Sequence, residues 1–398
     1  MSKAAIMGYG TIGSGVLKVL MMNRELIKRS AGDYIDAKYV LDLKDFPGTP
    51  AEKLITHDIE DIVKDPEVDI VVETMGGTNP AYPFVKKCIE AGKSVCTSNK
   101  ELVEKHGQEL LELAKAKNVD FLFEASCGGG IPVIRALNCA YVADEIEEIS
   151  GILNGTTNFI LTKMLKEGAA YADVLKEAQD MGIAERNPEA DVEGHDPCRK
   201  IAILASVTYG RNVNFESIYT EGITGITPCD MEFAKKRGGA IKLIASFREE
   251  GGKFYAMVSP FFVSEDNALC AVNGAYNAIY IKGNAVGSTM LYGSGAGMME
   301  TASAVVADVV NAARGTGETK RVIWLPETLK IEGIDEDRRN FMVCVQSDKV
   351  AQAKEAFGAA ESVELSGGVT GLITKEMSEK DFKAASDKVG IVSRIRVK

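Results

Sequence analysis

The chain has 398 residues, 45% hydrophobic and 26% charged, with a formal net charge of −11 from 46 basic and 57 acidic side chains. This is ordinary globular composition and excludes a disordered or fibrous class; the acidic balance argues against a general nucleic-acid surface, which needs clustered Lys and Arg. Only Ala4–Met7 are apolar before Gly8, and no apolar run approaches the ~18 residues of a membrane span, so neither a signal peptide nor a membrane anchor is expected.

The length suits two or three domains. The first third alternates short apolar runs with amphipathic segments, the pattern of βαβ units and a parallel sheet. Ala4–Met7 predicts a buried strand, Ser14–Lys28 a helix, and Ala37–Leu41 and Asp69–Glu73 the next two strands. Lys93–Thr97 and Phe121–Ala125 follow as strands, with a helix over Lys100–Lys117 between them. The expected architecture to about residue 130 is an α/β, Rossmann-type doubly wound sheet.

From Glu145 the signals change to strands and longer polar helices, including Ala172–Met181 and Asp196–Thr208. Lys253–Val263 and Asn277–Lys282 alternate as antiparallel strands do. A second, α+β domain is expected. Gly293–Gly297 (GSGAG) then leads into a small-residue helix at Thr301–Ala313, and Trp324–Asp337 resembles a linker. The tail reads strand (Phe341–Val345), helix (Asp348–Phe357), strand (Ser362–Leu365), strand (Val369–Thr374), helix (Ser378–Lys388), strand (Val392–Val397). That order is ferredoxin-like.

Gly8-Tyr9-Gly10-Thr11-Ile12-Gly13 is G-x-G-x-x-G, and it gains meaning from following a strand and opening a helix. Gly8 suits the tight turn, Gly10 the approach of a pyrophosphate, and Gly13 helix–strand packing. Asp42 closes the second strand 29 residues past Gly13, a longer gap than the usual ~20. Asp42 would favour the free ribose hydroxyls of NAD, and Lys44 the extra phosphate of NADP; both also suit a solvated turn.

Asp191-Val192-Glu193-Gly194-His195-Asp196-Pro197-Cys198-Arg199-Lys200 opens a helix, with Asp196 at the expected cap and Pro197 just inside. Asp196 and Lys200 share a helix face, which by spacing alone is most often a solvated surface pair. Lys100 follows a parallel strand at its carboxyl end, where open α/β sheets place ligands. Asn154-Gly155-Thr156-Thr157-Asn158 packs small polar residues at a strand-to-helix turn. His57, His106 and His195 have no ligand spacing, and no G-x-S-x-G motif supports a hydrolase. The eight cysteines form no C-x-x-C pair and read as reduced thiols, which makes the cytoplasm the expected compartment.

Seven segments in order resemble the homoserine dehydrogenase family. They are GYGTIGSGV at the start, ETMGG at 73–77, TSNK at 97–100, EASCGGGIP at 124–132, NGTTNFIL at 154–161, the acidic run ending in Lys200, and GAG…TASAVVAD at 295–308. NGTTNFIL and D-x-E-G-x-D-x-x-x-K are the most specific of these.

The resemblance implies an NAD(P)-dependent oxidoreductase interconverting L-homoserine and aspartate semialdehyde in threonine, methionine and isoleucine biosynthesis. It makes Lys200 the proton donor and acceptor, Asp196 the acid that positions it, and Lys100 a contact for cofactor and substrate. Glu185 would bind the substrate ammonium group, with Asp191 in the same pocket. Glu124 and the carbonyls of Cys127, Gly129 and Ile131 would hold a monovalent cation, usually sodium. Residues 1–134 and 295–320 would form the nucleotide domain, and 135–294 the substrate and dimerisation domain. Residues 321–340 would be a linker, and 341–398 a short ACT-like regulatory domain binding an effector such as threonine. A homodimer or homotetramer is implied, with no nucleic-acid or membrane partner. The fingerprint's place at the N-terminus suggests a form without a preceding kinase segment. Cys127, Ser294 and Met298-Met299-Glu300 depart from the commoner family residues at their positions. The alternatives are a non-catalytic sensor of amino acids or nucleotide, or a dehydrogenase for a related semialdehyde. A sensor has no need of the Lys100, Asp196 and Lys200 set.

Overall fold

The computed structural model describes residues 2–398. They form two compact units: residues 2–144, 202–213 and 293–329 in the first, and Glu145–Ile201, Asn214–Tyr292 and Lys330–Lys398 in the second.

The first unit is built on six strands: β1 (Ser2–Met7), β2 (Ile35–Leu41), β3 (Ile55–Thr56), β4 (Val68–Glu73), β5 (Ser94–Thr97) and β6 (Phe121–Leu122). All pairings are parallel, in the order β3-β2-β1-β4-β5-β6. Ala4–Met7 and Ile70–Val72 are buried on both faces, so these strands read as unbroken apolar runs rather than alternating ones. Helices α1 (Thr11–Met22), α2 (Arg24–Ala31), α3 (Ile59–Val63), α4 (Ala81–Glu90), α5 (Lys100–Lys117) and α6 (Val133–Cys139) fill the connections.

The single helix expected over Ser14–Lys28 is two. Asn23 (φ −106°, ψ 22°) breaks it, and the apolar periodicity runs across the break, which hides it in the sequence. The strand expected over Phe121–Ala125 stops at Leu122, and Glu124–Ser126 form a 3₁₀ turn. The helix Met298–Arg314 belongs to this unit. A Cβ on Gly15 of α1 would meet Met298 Cγ and its carbonyl oxygen at 2.9 Å, and Val305, Val306 and Val309 share a core with Ile6 and Val72. Its small residues therefore serve close helix packing.

The second unit holds a ten-stranded sheet. Its path runs Gly287–Ser294, Tyr276–Gly283, β7 (Ile146–Ile152), Gly239–Glu250, Lys253–Ser264, Ser393–Val397, Phe341–Gln346, Val369–Ile373, Ser362–Leu365, with Tyr219–Thr220 beside Lys253–Ser264. Gly239–Glu250 and Lys253–Ser264, twelve residues each, make an antiparallel hairpin across Gly251-Gly252. Both turn glycines have positive φ, as a tight two-residue hairpin turn requires. The alternation read in Lys253–Val263 does not appear in its burial: the strand is central, and Ala256–Val263 are all buried. Helices α7 (Gly155–Glu167), α8 (Tyr171–Asp180), α9 (Glu189–Val192), α10 (His195–Tyr209) and α11 (Pro228–Lys236) lie along this part of the chain, the division between the units falling within α10.

The tail has the βαββαβ order, with Phe341 and Phe382 stacked at 4.1 Å in its core. It does not stand apart behind a free linker. Its last strand pairs in parallel with the long hairpin, Arg396 with Phe261 and Val397 with Phe262, so the tail continues the same sheet. The expected linker also pairs: Leu325–Thr328 lies beside Arg211–Asn212, and Ile331 bridges to Phe254. The tail is thus grouped with the second compact unit. Among the described residues no helix is long and apolar enough to cross a membrane.

Candidate active site

In the first unit the glycine fingerprint sits where the strand order reverses, between β1 and β4. Thr74 at the end of β4 donates its N–H to Met7 O (2.9 Å) and its hydroxyl to Gly8 O (3.0 Å). Gly8 has φ +94°, and a Cβ on Gly13 would lie 1.9 Å from Gly8 O. Nothing lies within 4 Å of a Cβ built on Gly10. The turn is thus packed behind and open in front. No side chain caps α1 and no acid occupies its first turn, so the N–H groups there suit an anion.

Asp42 is tied to this turn. Its carboxylate accepts from Tyr9 N–H (2.8 Å) and Lys44 N–H (3.1 Å), while the Lys44 side chain is exposed. The long first helical region and the loop through Gly32 bring Asp42 here despite its late position.

A buried acid that sequence reasoning missed lies beneath the next two loops. Glu73 ends β4 and accepts from Thr97 Oγ1 (2.5 Å), Met75 N–H (2.8 Å) and Asn99 Nδ2 (3.5 Å). Burial raises its pKa against these bonds. Asn99 also donates to Gly77 O (2.6 Å) and caps α5 by accepting from Leu102 N–H (3.1 Å). ETMGG and TSNK are therefore one network, and it sets Lys100 as the first residue of α5. The signal available in the sequence was an acid closing an apolar strand.

Glu124 is buried, and its carboxylate accepts from Ile134 N–H (2.8 Å) and Arg135 N–H (2.7 Å) at the start of α6. Its own N–H donates to Asp308, which also pairs with Arg135 at 2.8 Å. The carboxylate thus serves as a helix cap, so a cation at this loop would take main-chain oxygens. Burial raises the pKa values of both Glu124 and Asp308, with Arg135 opposing. In the loop 127–131, Gly128 and Gly129 have positive φ, and Gly130 N–H donates to Ser294 O (3.2 Å). A Cβ on Gly129 would come within 2.5 Å of the Gly295 backbone, which explains the paired glycine runs.

In the second unit four residues converge. Asn154 caps α7 by accepting from Thr157 N–H (2.9 Å), and its amide nitrogen donates to Asp191 Oδ1 (2.7 Å) and Asp196 Oδ2 (2.9 Å). Lys200 Nζ donates to Asp196 Oδ2 (2.8 Å) and Leu153 O (2.8 Å). The Lys200 and Asp196 side chains are only 12% and 5% exposed, so the solvated-pair reading of their spacing does not hold. Asp196 is not the helix cap either. α10 starts at His195 after Gly194 (φ +83°), and the Asp196 carboxylate is turned to Asn154 and Lys200.

The rest of NGTTN holds this corner in place. A Cβ on Gly155 would lie 2.6 Å from Ala275 O. Asn158 donates to Val272 O (3.2 Å) and Tyr276 O (3.0 Å). It accepts from Lys242, a buried lysine missed in the sequence, which also donates to Val272 O and Asn273 Oδ1. Burial without a carboxylate partner brings Lys242 down to about 8. Glu185 lies on the exposed loop before α9, and its backbone carbonyl accepts from Gln179 (3.0 Å). The structure does not join its carboxylate to the Asp191–Asp196–Lys200 cluster.

A family model described as homoserine dehydrogenase, NAD binding domain, matches residues 8–124, and one described as homoserine dehydrogenase matches 132–310. The homoserine dehydrogenase of Bacillus subtilis (strain 168) is 42% identical over 315 residues, 77% of this chain and 72% of that protein. The chain belongs to the homoserine dehydrogenase family. The crystal structure of a homoserine dehydrogenase from Thiobacillus denitrificans superposes with a TM-score of 0.90 at 36% identity, covering 100% of this chain and 98% of that one. A hyperthermophilic archaeal homoserine dehydrogenase in complex with NADPH has a TM-score of 0.67 at 28% identity, covering 78% of this chain and 97% of that one. Residues 8–124, which carry the glycine fingerprint, are accordingly its NAD-binding domain.

Proposed function

We propose that this chain catalyses the reversible oxidation of L-homoserine to L-aspartate 4-semialdehyde, with Lys200 Nζ moving the proton. A bound nicotinamide supplies or accepts the hydride. In the direction of aldehyde reduction, the Lys200 ammonium gives its proton to the oxygen that becomes the alcohol; in oxidation, the neutral amine takes the hydroxyl proton. The observation that carries this reading is the fixing of Nζ by Asp196 and Leu153 O, inside a motif of this family. A proton donor held in one place is what general acid–base catalysis needs. Asn154 orients both acids. Asp191 and Glu185 supply negative charge for the substrate ammonium group, and Lys100 at the start of α5 contacts cofactor and substrate.

The cofactor is NAD or NADP. Asp42 favours the first and exposed Lys44 the second. A monovalent cation such as sodium would be held by the carbonyls of Glu124, Cys127, Gly129 and Ile131, where it would stiffen the loop beside Gly295. These oxygen donors suit a hard cation, and the turned glycine backbone of the loop supports the fit.

The tail is read as an ACT-like module for a small amino acid such as threonine, on its βαββαβ order. A homodimer is read from the exposed Tyr276, Val286, Met290 and Tyr292 along one edge of the sheet. The eight free thiols suit a reducing cytoplasm.

The test is homoserine-dependent reduction of NAD and NADP, run in parallel with and without threonine. No turnover with either cofactor would favour the sensor reading. Threonine that binds yet leaves turnover unchanged would remove the regulatory role of the tail.

A further inference from the structure

Outside the active site, two cysteines 115 positions apart in the chain meet. Cys229 is the second residue of α11, and Cys344 lies in the tail strand Phe341–Gln346. Their sulfurs and the Asp230 carboxylate lie within 4.8 Å of one another. We propose that Cys229 and Cys344 are a redox pair, which a small disulfide such as oxidised glutathione converts to an intramolecular disulfide joining α11 to the tail.

Four observations carry this. Cys229 sits at a helix start, where the backbone N–H groups and the helix dipole favour a thiolate. Around its sulfur stand the Thr227 hydroxyl (3.0 Å), the Ser393 hydroxyl (3.6 Å) and the Cys344 thiol. The Cys344 thiol is the largest influence holding the Cys229 thiol down to about 6, against burial and the negative charge of Asp230. Finally, exposure is unequal: Cys229 is half-buried and Cys344 buried. An accessible thiolate with a protected partner thiol is the arrangement of an attacking and a resolving cysteine.

Asp230 argues for thiol chemistry over a metal site. It is 1% exposed, and its Oδ2 is taken by Thr227 N–H (2.8 Å) and Oγ1 (2.6 Å) in a capping box. Its Oδ1 accepts from Ser393 Oγ (2.6 Å) and the Cys344 thiol (3.8 Å). The carboxylate is saturated with donors, and Oδ1 stands where it can receive the Cys344 proton.

The steps balance. The Cys229 thiolate attacks one sulfur of the small disulfide, forming a mixed disulfide and releasing one thiolate. Cys344 then loses its proton by way of Asp230 and attacks the Cys229 sulfur, releasing the second thiolate. Two protein thiols are oxidised, and two small thiols are formed.

The test uses the native full-length protein. It is incubated with oxidised glutathione, alkylated, digested and analysed by mass spectrometry, with the metal content of the untreated protein measured alongside. The expected result is a Cys229–Cys344 linked peptide that dithiothreitol removes. Cys344→Ser should stop at a glutathione adduct on Cys229, and Cys229→Ser should leave Cys344 unmodified. Both thiols remaining alkylatable, or a native protein that stops at the Cys229 adduct, would overturn the proposal. So would stoichiometric zinc that is lost in Cys229→Ser.

Discussion

Lys200 and Asp196 stand one helical turn apart, joined at 2.8 Å, with both side chains largely shut off from water. On an exposed helix such a pair is worth a few tenths of a kcal/mol. In a buried setting, removing one partner of an ion pair costs about 3–5 kcal/mol. Lys200→Ala should therefore lower both stability and turnover, the latter by about 10²-fold or more, with nucleotide affinity nearly unchanged. Lys200→Arg separates charge from proton transfer, because a guanidinium keeps its proton at any working pH. It should fold and bind nucleotide, yet turn over as slowly as the alanine variant. Steady-state kinetics and a nucleotide titration on the folded variants check this, and an active arginine variant rules out proton transfer by Lys200.

Asn154 bridges the two acids with one amide nitrogen. Asn154→Asp keeps the α7 cap acceptor and replaces that donor with a third carboxylate beside Asp191 and Asp196. Like charges so close cannot all ionise, so one pKa in the cluster must rise. The expected outcome is at least a tenfold loss of turnover and an acid limb of the pH–rate profile moved to higher pH. An unshifted profile would mean that Asn154 acts only as a cap.

Much of this was readable in the chain because the signals are local. The strand–GYGTIG–helix order needs only neighbouring residues, and Lys100–Lys117 is helical as its pattern predicts. NGTTN and D-x-E-G-x-D-x-x-x-K marked residues that the structure brings together, but spacing could not tell that the Lys200–Asp196 pair is buried. Burial depends on β7 and Leu153, which come from another part of the chain. Glu73, Lys242 and the Cys229–Cys344 pair escaped for the same reason: each acquires its meaning from partners 24 to 115 positions away. The tail's elements were visible, but not its place in the sheet, because strand pairing across 135 residues leaves no mark in either strand.

The three fingerprint glycines should respond differently to alanine. Gly13→Ala would place a methyl group 1.9 Å from Gly8 O and must shift the turn, so both stability and nucleotide binding should fall. At Gly10 the backbone conformation (φ −75°) accepts any residue and no protein atom lies within 4 Å of the new carbon. Gly10→Ala should keep the thermal midpoint of the ligand-free protein and still lose nucleotide affinity, by about tenfold or more if the methyl meets a pyrophosphate. Thermal unfolding without ligand and fluorescence titration with NADPH and NADH separate the two effects. Unchanged affinity in Gly10→Ala would mean that the dinucleotide does not approach this turn.

The last prediction concerns how the tail is held. Arg396 is fully buried and pairs with Glu379 and with Glu221 (2.6 Å), while Arg394 reaches Glu221 from the same tail strand at 3.0 Å. Burial alone would raise the Glu221 pKa, and the two guanidinium groups outweigh it, holding the carboxyl below its usual range. A carboxylate with a depressed folded-state pKa stabilises the fold wherever it is ionised in the unfolded chain, above about pH 4.3, and this stability disappears as pH falls through the lower folded value. Glu221→Gln leaves the guanidinium groups with one anion fewer and should lower the thermal midpoint near neutral pH by several degrees. The deficit relative to the native protein should shrink as pH is lowered below about 4, where the native carboxylate also begins to protonate. A constant difference between the two proteins from pH 7 down to pH 3 would show that Glu221 contributes by packing and not by charge. The tail would then be held on the sheet chiefly by its strand pairing with Phe261 and Phe262.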